Sequence, residues 1–424
     1  MSRRVLLISY AFPPLLGAGT SRVLKFAKFL PKYGWDPHVL TVDDPDNPLL
    51  DYDDLDLSAE GIDENNVSRT RILNLDLRLS ATGVRRPATM LLHDNKFGWW
   101  PFAVPQGVKI VRERNISLVF VSVPPLTTLS IAAAVKKRTG VPLVYDFRDL
   151  WVGNSAIPIY QNRFKHWLNA HLERNLLGKA DAIVTVTEPW CERLRKRTPD
   201  SAEKLFEVVE NGYDPDDFHG LERHKPSTFT MTHTGKLYSR TRKVETLFAA
   251  VFQLLEEGSI DPARFELRMV TNVPAYIDHA AKSHAVSQVV RAIDYKPRRE
   301  CLQEQLDSSV LLFLLDQSKD SRGRHTVKVF EYLFAKRPIL ALVPRDYAAA
   351  QLIEECGAGT VVPPDDVEAI KAAVLRYYTR FQADSDVACT TDENAISQFN
   401  REKLTGKLAA LFNRVVEQKA AGTG

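Results

Sequence analysis

The chain has 424 residues, room for two domains at about 100–200 residues each. Hydrophobic residues make up 44% and charged residues 26%, an ordinary globular balance with apolar material for two cores. The 56 basic and 53 acidic side chains nearly cancel, which excludes a polyelectrolyte and argues against nucleic acid as the main partner.

The first element is a buried strand, Val5 to Tyr10. Arg3 and Arg4 ahead of it imitate a secretion signal, but the apolar run is short, ends in Pro13-Pro14 and has no small-residue cleavage site. A loop carrying Gly17 and Gly19 follows, and a helix begins near Ser21. Strand, glycine loop and helix N-terminus in that order form a ready anion site; a plain tight turn is the alternative. Pro37–Val42 is a second strand, residues 43–66 are an acidic excursion, and Val67–Leu73 is a third strand. The run 83–105 reads as irregular and holds Trp99-Trp100. Strands then alternate with helices: Leu118–Val123, Leu126–Arg138, Leu143–Phe147, Arg163–Leu177, Ala182–Val186, Pro189–Arg197 and Phe206–Val209. Such alternation predicts a parallel sheet covered on both faces.

The turn Asn211-Gly212-Tyr213-Asp214-Pro215 and the polar run 216–227 read as a linker. A second series follows, with strands Phe229–Thr234, Phe265–Val270, Val289–Ala292, Val310–Leu315, Ile339–Val343 and Thr360–Val362. Its helices are Val244–Glu257, Arg299–Asp307, Val327–Ala335, Tyr347–Cys356 and Val367–Tyr378. Glu393–Gln418 reads as one long helix. The expectation is an α/β chain of two doubly wound domains, 1–215 and 216–392, with a helix and tail at 393–424. Ligands of such folds sit beyond the C-terminal strand ends, so the expected site is the cleft between the domains. No apolar stretch nears the ~20 residues of a membrane span. Cys191, Cys301, Cys356 and Cys389 form no CxxC pair. Free thiols in a reducing, cytoplasmic compartment are expected, and a zinc site is not.

Four segments that join a strand to a helix carry candidate chemistry. The first is the Gly17-Ala18-Gly19 loop. The second is Asp146-Phe147-Arg148-Asp149-Leu150-Trp151: either an Asp–Arg ion pair holds the loop, or Arg148 faces a phosphate or sugar and Asp149 orients an acceptor hydroxyl. The third, Gly235-Lys236-Leu237-Tyr238-Ser239-Arg240-Thr241-Arg242-Lys243, gathers cations that suit a diphosphate or form a solvated basic loop. The fourth runs from Arg322 to Tyr332. Thr326 is a plausible N-cap, Lys328 stands in the first turn where the macrodipole disfavours a cation, and Glu331 is placed to take ribose hydroxyls; an exposed Lys–Glu pair is the plain alternative. On the first helix Arg22, Lys25, Lys28 and Lys32 share a side, opposite Val23, Ala27 and Leu30. That stripe is either a solvated face or a face for an anionic membrane.

Together these segments resemble a glycosyltransferase of the GT-B fold, of the family 4 kind. The resemblance rests on SYAFPPLLGAGTSR, SVPPLTT, VPLVYDFRDLW, VENGYDPDDF, HTGKL and TVKVFEYLFAKRPILAL, and it covers nearly the whole length. It implies transfer of a sugar from a nucleotide-sugar donor with retention of configuration, without a metal ion or other cofactor. A sugar or lipid-linked acceptor, as in cell-surface polysaccharide or glycolipid synthesis, would go with it. The second domain would bind the nucleotide, the first most of the acceptor, and a final helix would cross back to the first domain. By resemblance Glu331 holds the ribose, Lys236 is the basic residue after the donor domain's first strand, and Arg242, with Arg240 as rival, is its partner. The Gly17–Gly19 loop would face the diphosphate, with Gly235 at the donor strand end. Two positions depart from the family pattern. Gly323 stands where many members have a second glutamate, and Arg148 where many have a histidine. A nucleotide-sugar 2-epimerase of the same fold and a non-catalytic partner of another transferase are the competing expectations.

Overall fold

The computed structural model describes residues 2–15, 18–44, 56–73, 94, 96–152, 163–237, 244–315, 319–384, 387, 389 and 391–421. The chain divides into two compact units, Met1–Glu210 with Arg401–Gly424, and Asn211–Asn400.

The first unit is built on strands β1 (Arg3–Ile8), β2 (Trp35–Asp43), β3 (Val67–Arg71), β4 (Leu118–Val123), β5 (Leu143–Phe147), β6 (Ala182–Thr185) and β7 (Leu205–Val208). They pair in the order β3-β2-β1-β4-β5-β6-β7, all parallel, with Ile8 opposite Leu40 and Phe147 opposite Thr185. Its helices are α1 (Ala18–Phe29), α2 (Trp100–Glu113), α3 (Thr127–Thr139), α4 (Arg163–Leu177) and α5 (Glu188–Arg197). The period of two along each strand sends apolar side chains to both faces. Leu6 and Ile8 pack with residues of α2 and α3. Val5 and Leu7 pack with α1 and with Leu408, Leu411 and Phe412 of the C-terminal helix, which belongs to this unit.

The second unit carries β8 (Phe229–Thr234), β9 (Phe265–Val270), β10 (Val290–Ile293), β11 (Val310–Leu314), β12 (Ile339–Leu342) and β13 (Gly359–Val362), in the order β10-β9-β8-β11-β12-β13. Helices α6 (Glu245–Glu256), α7 (Pro274–Ser283) and α11 (Val367–Ala383) cover the face that takes Val310, Leu312 and Leu314. Helices α8 (Arg298–Leu306), α9 (Val327–Ala335), α10 (Ala348–Glu355) and α12 (Glu393–Ser397) cover the face that takes Leu311 and Phe313. The last helix is α13 (Arg401–Ala421). In each sheet the order reverses once, between β1 and β4 and between β8 and β11, and ligands of open α/β sheets bind at such points.

The strands fall within about two residues of their predicted positions; the helices depart in five places, one of them α11, which runs to Ala383 instead of ending at Tyr378. Helix α1 begins at Ala18, not near Ser21, so Gly19 lies in its first turn. The run 83–105, read as irregular, contains the start of α2. Pro101 and Pro105 disguised it, yet Pro101 stands at the start of the helix, where a proline's missing N–H costs nothing. Helix α7 went unpredicted. The single helix expected over Glu393–Gln418 is two, α12 and α13. Between them the Tyr213 N–H donates to the Phe399 carbonyl (3.1 Å), pairing that backbone with a segment far away in sequence.

The basic stripe of α1 is neither a solvated nor a membrane-facing surface. Arg22 is 0% and Lys25 1% exposed. Arg22 holds Asp146, and Lys25 and Lys28 both reach Glu60, at 2.9 and 3.1 Å. Only Lys32 of the four extends to the surface, against Glu402 at 2.7 Å. The carboxylates come from β5 and from a loop residue 35 positions on. No periodicity within the helix could announce them.

Candidate functional site

In the first unit the loop after β5 is fixed from below and from the side. Asp146, the fourth residue of β5, is fully buried. It accepts from the Arg22 guanidinium (2.7 Å) and from the Ser122 hydroxyl of β4 (3.1 Å). Arg22 also donates to the carbonyls of Val209 and Glu210, at 2.8 and 2.9 Å. Asp146 is thus paired with an arginine from α1. Further along, Trp151 Nε1 donates to Asn169 (3.2 Å), and the Val152 N–H donates to Glu173 (2.8 Å), which also takes Arg197.

Arg148 is left to face the α1 terminus. Its Nη2 donates to the Pro124 carbonyl after β4 (2.6 Å), and its guanidinium lies on Gly19. A Cβ at position 19 would stand 2.1 Å from Arg148 Nη1, so glycine here makes room for a cation. Burial pushes the Arg148 pKa down, with Asp149 first and then Asp146 opposing. The structure thus joins Gly19, Arg148 and the neighbouring, half-buried Asp149 at the β1/β4 reversal. Gly17 lies outside the described residues.

In the second unit the end of β8 meets the start of α9. Gly235 has φ +121°, a conformation that favours glycine, and its open side receives Lys328. Lys328 Nζ lies 3.2 Å from Nε2 of the buried His233. Lys236 is exposed, its ammonium 5.9 Å from the Tyr295 ring centroid. Arg240 and Arg242 lie outside the described residues. Thr326 caps α9 with an extended backbone but makes no capping bond, and among the described residues its buried Oγ1 has no hydrogen-bond partner. Burying a hydroxyl without a partner costs about 1–3 kcal/mol. A ligand oxygen at the N-terminus of α9 would satisfy it. Glu331, one turn beyond Lys328, accepts from Arg298 of α8 (2.9 Å), and Arg298 also reaches Asp217 (2.8 Å). Gly323 ends a short 3-10 turn, Lys319–Gly323.

The sequence alone assigns no role to His233, Arg298, Asp217 or Tyr295. His233 stands two residues before Gly235 in HTGKL and Asp217 stands in VENGYDPDDF, so these two carry a local signal, whereas Arg298 and Tyr295 carry none.

His325, beside the Thr326 cap, has its pKa pushed down to about 4 by burial, with a backbone hydrogen bond at Ala348 opposing. Its ring packs edge-on against Phe330. The unfolded chain therefore binds this proton below pH 6.5 while the folded chain does not, and stability falls as pH drops through that window. Between pH 6.5 and 5 the loss should be about 2 kcal/mol. Urea unfolding at both pH values should show it in the wild type and not in His325→Asn; equal losses in both would remove His325 as the cause.

Residues 19–217 match the family model described as Glycosyltransferase Family 4. No curated protein matches the chain. Among solved structures the fold is similar to a glycosyltransferase from Rickettsia africae ESF-5, with TM-score 0.67 and 14% identity, covering 98% of this chain and 99% of that one. It is similar to Anabaena Alr3699/HepE in complex with UDP and glucose, with TM-score 0.64, 14% identity and coverage of 97% and 100%. It is also similar to a putative UDP-N-acetylglucosamine 2-epimerase from Listeria monocytogenes, with TM-score 0.60, 13% identity and coverage of 98% and 97%. At such identities the likeness speaks for the fold, which is GT-B.

Proposed function

We propose, for a chain whose residues 19–217 match the model of glycosyltransferase family 4 and whose two sheets have the GT-B fold, that it moves a sugar from a nucleotide-sugar donor to an acceptor hydroxyl with retention of configuration. One observation carries the reading. The start of α9 brings together the helix N-terminus, the Lys328 cation and a buried Thr326 hydroxyl that has no hydrogen-bond partner among the described residues, with Glu331 one turn on. That arrangement suits a diphosphate followed by a ribose. Lys236 is the second cation for the diphosphate, and Arg240 and Arg242 follow it in sequence.

In this reading the leaving diphosphate is stabilised by Lys236, Lys328 and the α9 N-terminus, which act where negative charge develops. The acceptor hydroxyl attacks from the face that the diphosphate leaves, and its proton passes to the departing phosphate oxygen. No metal is required, because the chain's own cations neutralise the diphosphate. Arg148 and Asp149 act on the first unit as acceptor-side groups. The acceptor is a sugar or a lipid-linked sugar.

The test incubates the protein with UDP-, GDP-, ADP- and TDP-sugars and a panel of glycoside acceptors, and follows the products by NMR. A glycoside with the donor's anomeric configuration supports the reading. A C2-inverted sugar formed from donor alone would replace it with a 2-epimerase. Neither transfer nor slow hydrolysis of any donor would make the chain a non-catalytic partner.

The ribose role of Glu331 has its own test. Calorimetry should show UDP binding at least about tenfold tighter than dUDP, because one hydrogen bond to a carboxylate is lost. In Glu331→Ala that preference should vanish and UDP should weaken to the level of dUDP. An unchanged preference would take the ribose away from Glu331.

A further inference from the structure

We propose that His233 is a positioning residue that holds the Lys328 ammonium in place for the ligand's phosphates; this rests on the donor reading above. His233 is the fifth residue of β8 and is fully buried. Its Nδ1 lies 3.0 Å from the Leu312 carbonyl of β11, and its Nε2 lies 3.2 Å from Lys328 Nζ. A carbonyl oxygen only accepts, so Nδ1 carries the proton and donates to it. Nε2 is then left with its lone pair, and it accepts from the lysine ammonium. The imidazole therefore relays the position of a β11 carbonyl to the end of a flexible side chain on α9.

Two further features make the placement specific. Gly235 leaves the space that the lysine fills: a Cβ there would lie 2.6 Å from Nζ and 2.7 Å from Cε. One turn beyond Lys328, the Tyr332 hydroxyl accepts from the Thr234 N–H at 3.0 Å. Helix α9 is thus tied to consecutive residues of β8 through Lys328 and Tyr332, which stand on the same side of it. A free lysine side chain gives up rotamer entropy when it closes on a ligand. A lysine already held by His233 has given it up in advance, so the contact with an anion is stronger. The N-terminal position of Lys328 on α9 is unfavourable to a cation without such an acceptor or an anion nearby.

The test separates position from structure by side-chain length. The terminal amide of His233→Gln can offer an oxygen where Nε2 stands, whereas His233→Asn is too short to reach Lys328. Calorimetry with UDP should show His233→Asn and Lys328→Ala each weakening binding about tenfold, with His233→Gln within about threefold of wild type. In the double variant His233→Asn/Lys328→Ala, binding should be no weaker than in Lys328→Ala alone. Wild-type UDP affinity in His233→Asn, or a full second loss in the double variant, overturns the proposal. The 15N spectrum of the histidine-labelled wild type at pH 7.5, with that of His233→Gln to assign the signal among ten histidines, gives a readout that needs no nucleotide. It should show His233 protonated at Nδ1 and bare at Nε2, and the opposite tautomer overturns the proposal. If the tautomer is as stated and neither UDP, GDP, ADP nor TDP binds, the donor reading fails while the His233–Lys328 contact stands.

Discussion

Arg22→Met should cost the first unit about 3–5 kcal/mol of stability, the largest structural effect expected of a single substitution here. The Arg22 and Asp146 side chains are 1% and 0% exposed, so the arginine's loss would leave a carboxylate buried without its cation. Ser122 would remain as its donor, and one hydroxyl bond does not replace a bidentate guanidinium. Arg22 also satisfies the carbonyls of Val209 and Glu210, which would lose their donor. Removing both charges is different. Arg22→Met with Asp146→Leu should recover much of the loss, because a buried ion pair offsets its own desolvation only partly. Denaturant unfolding of the three variants reads the effect. A loss below about 1 kcal/mol in Arg22→Met would mean that water or a rearranged side chain compensates Asp146. The same substitution should also disturb Arg148 and Asp149, since Asp146 lies in β5 just two and three residues before them.

Lys236→Ala should lower the rate of sugar transfer roughly 10²–10³-fold, the scale on which one group facing a transition-state charge acts. The contrast with Arg22 is instructive. Lys236 is exposed and rests over Tyr295, so the fold does not depend on it and thermal unfolding should be unchanged. Activity lost at constant stability then reports on the leaving group alone. Lys236→Arg keeps the charge but changes its shape, and it should fall between the two. The measurement is the release of nucleoside diphosphate at saturating donor and acceptor. Near-normal turnover in Lys236→Ala would move the leaving-group role to Lys328 or to the basic residues that follow Lys236.

The candidate site was legible in pieces. Segments such as the one from Thr326 to Glu331 announced themselves, because a cap residue, a misplaced cation and a carboxylate at helical spacing are local patterns. The segment after β8 was legible through its glycine and its charges. What each piece touches was not. The stripe on α1 had two readings from the sequence, both outward, and the true one is inward because Asp146 and Glu60 arrive from other parts of the chain. In the same way Glu331 has Arg298 and Asp217 beside it, from α8 and from the stretch before β8.

Strand periodicity, helix spacing and turn residues are properties of neighbours along the chain, so the sequence by itself determined the two parallel sheets and nearly all their strands. Positions such as Leu118–Val123 and Val310–Leu314 are apolar throughout or nearly so, as suits a strand buried on both faces. Only the tertiary structure decided which charges are buried and paired, and which glycines are there for a neighbour. Gly19 and Gly235 look alike in the sequence as turn residues. In the fold each makes room for a cation from a distant element, Arg148 for one and Lys328 for the other. Pairing of that kind depends on how strands and helices are stacked, and a buried charge must find its partner through space because the interior offers no water to replace it.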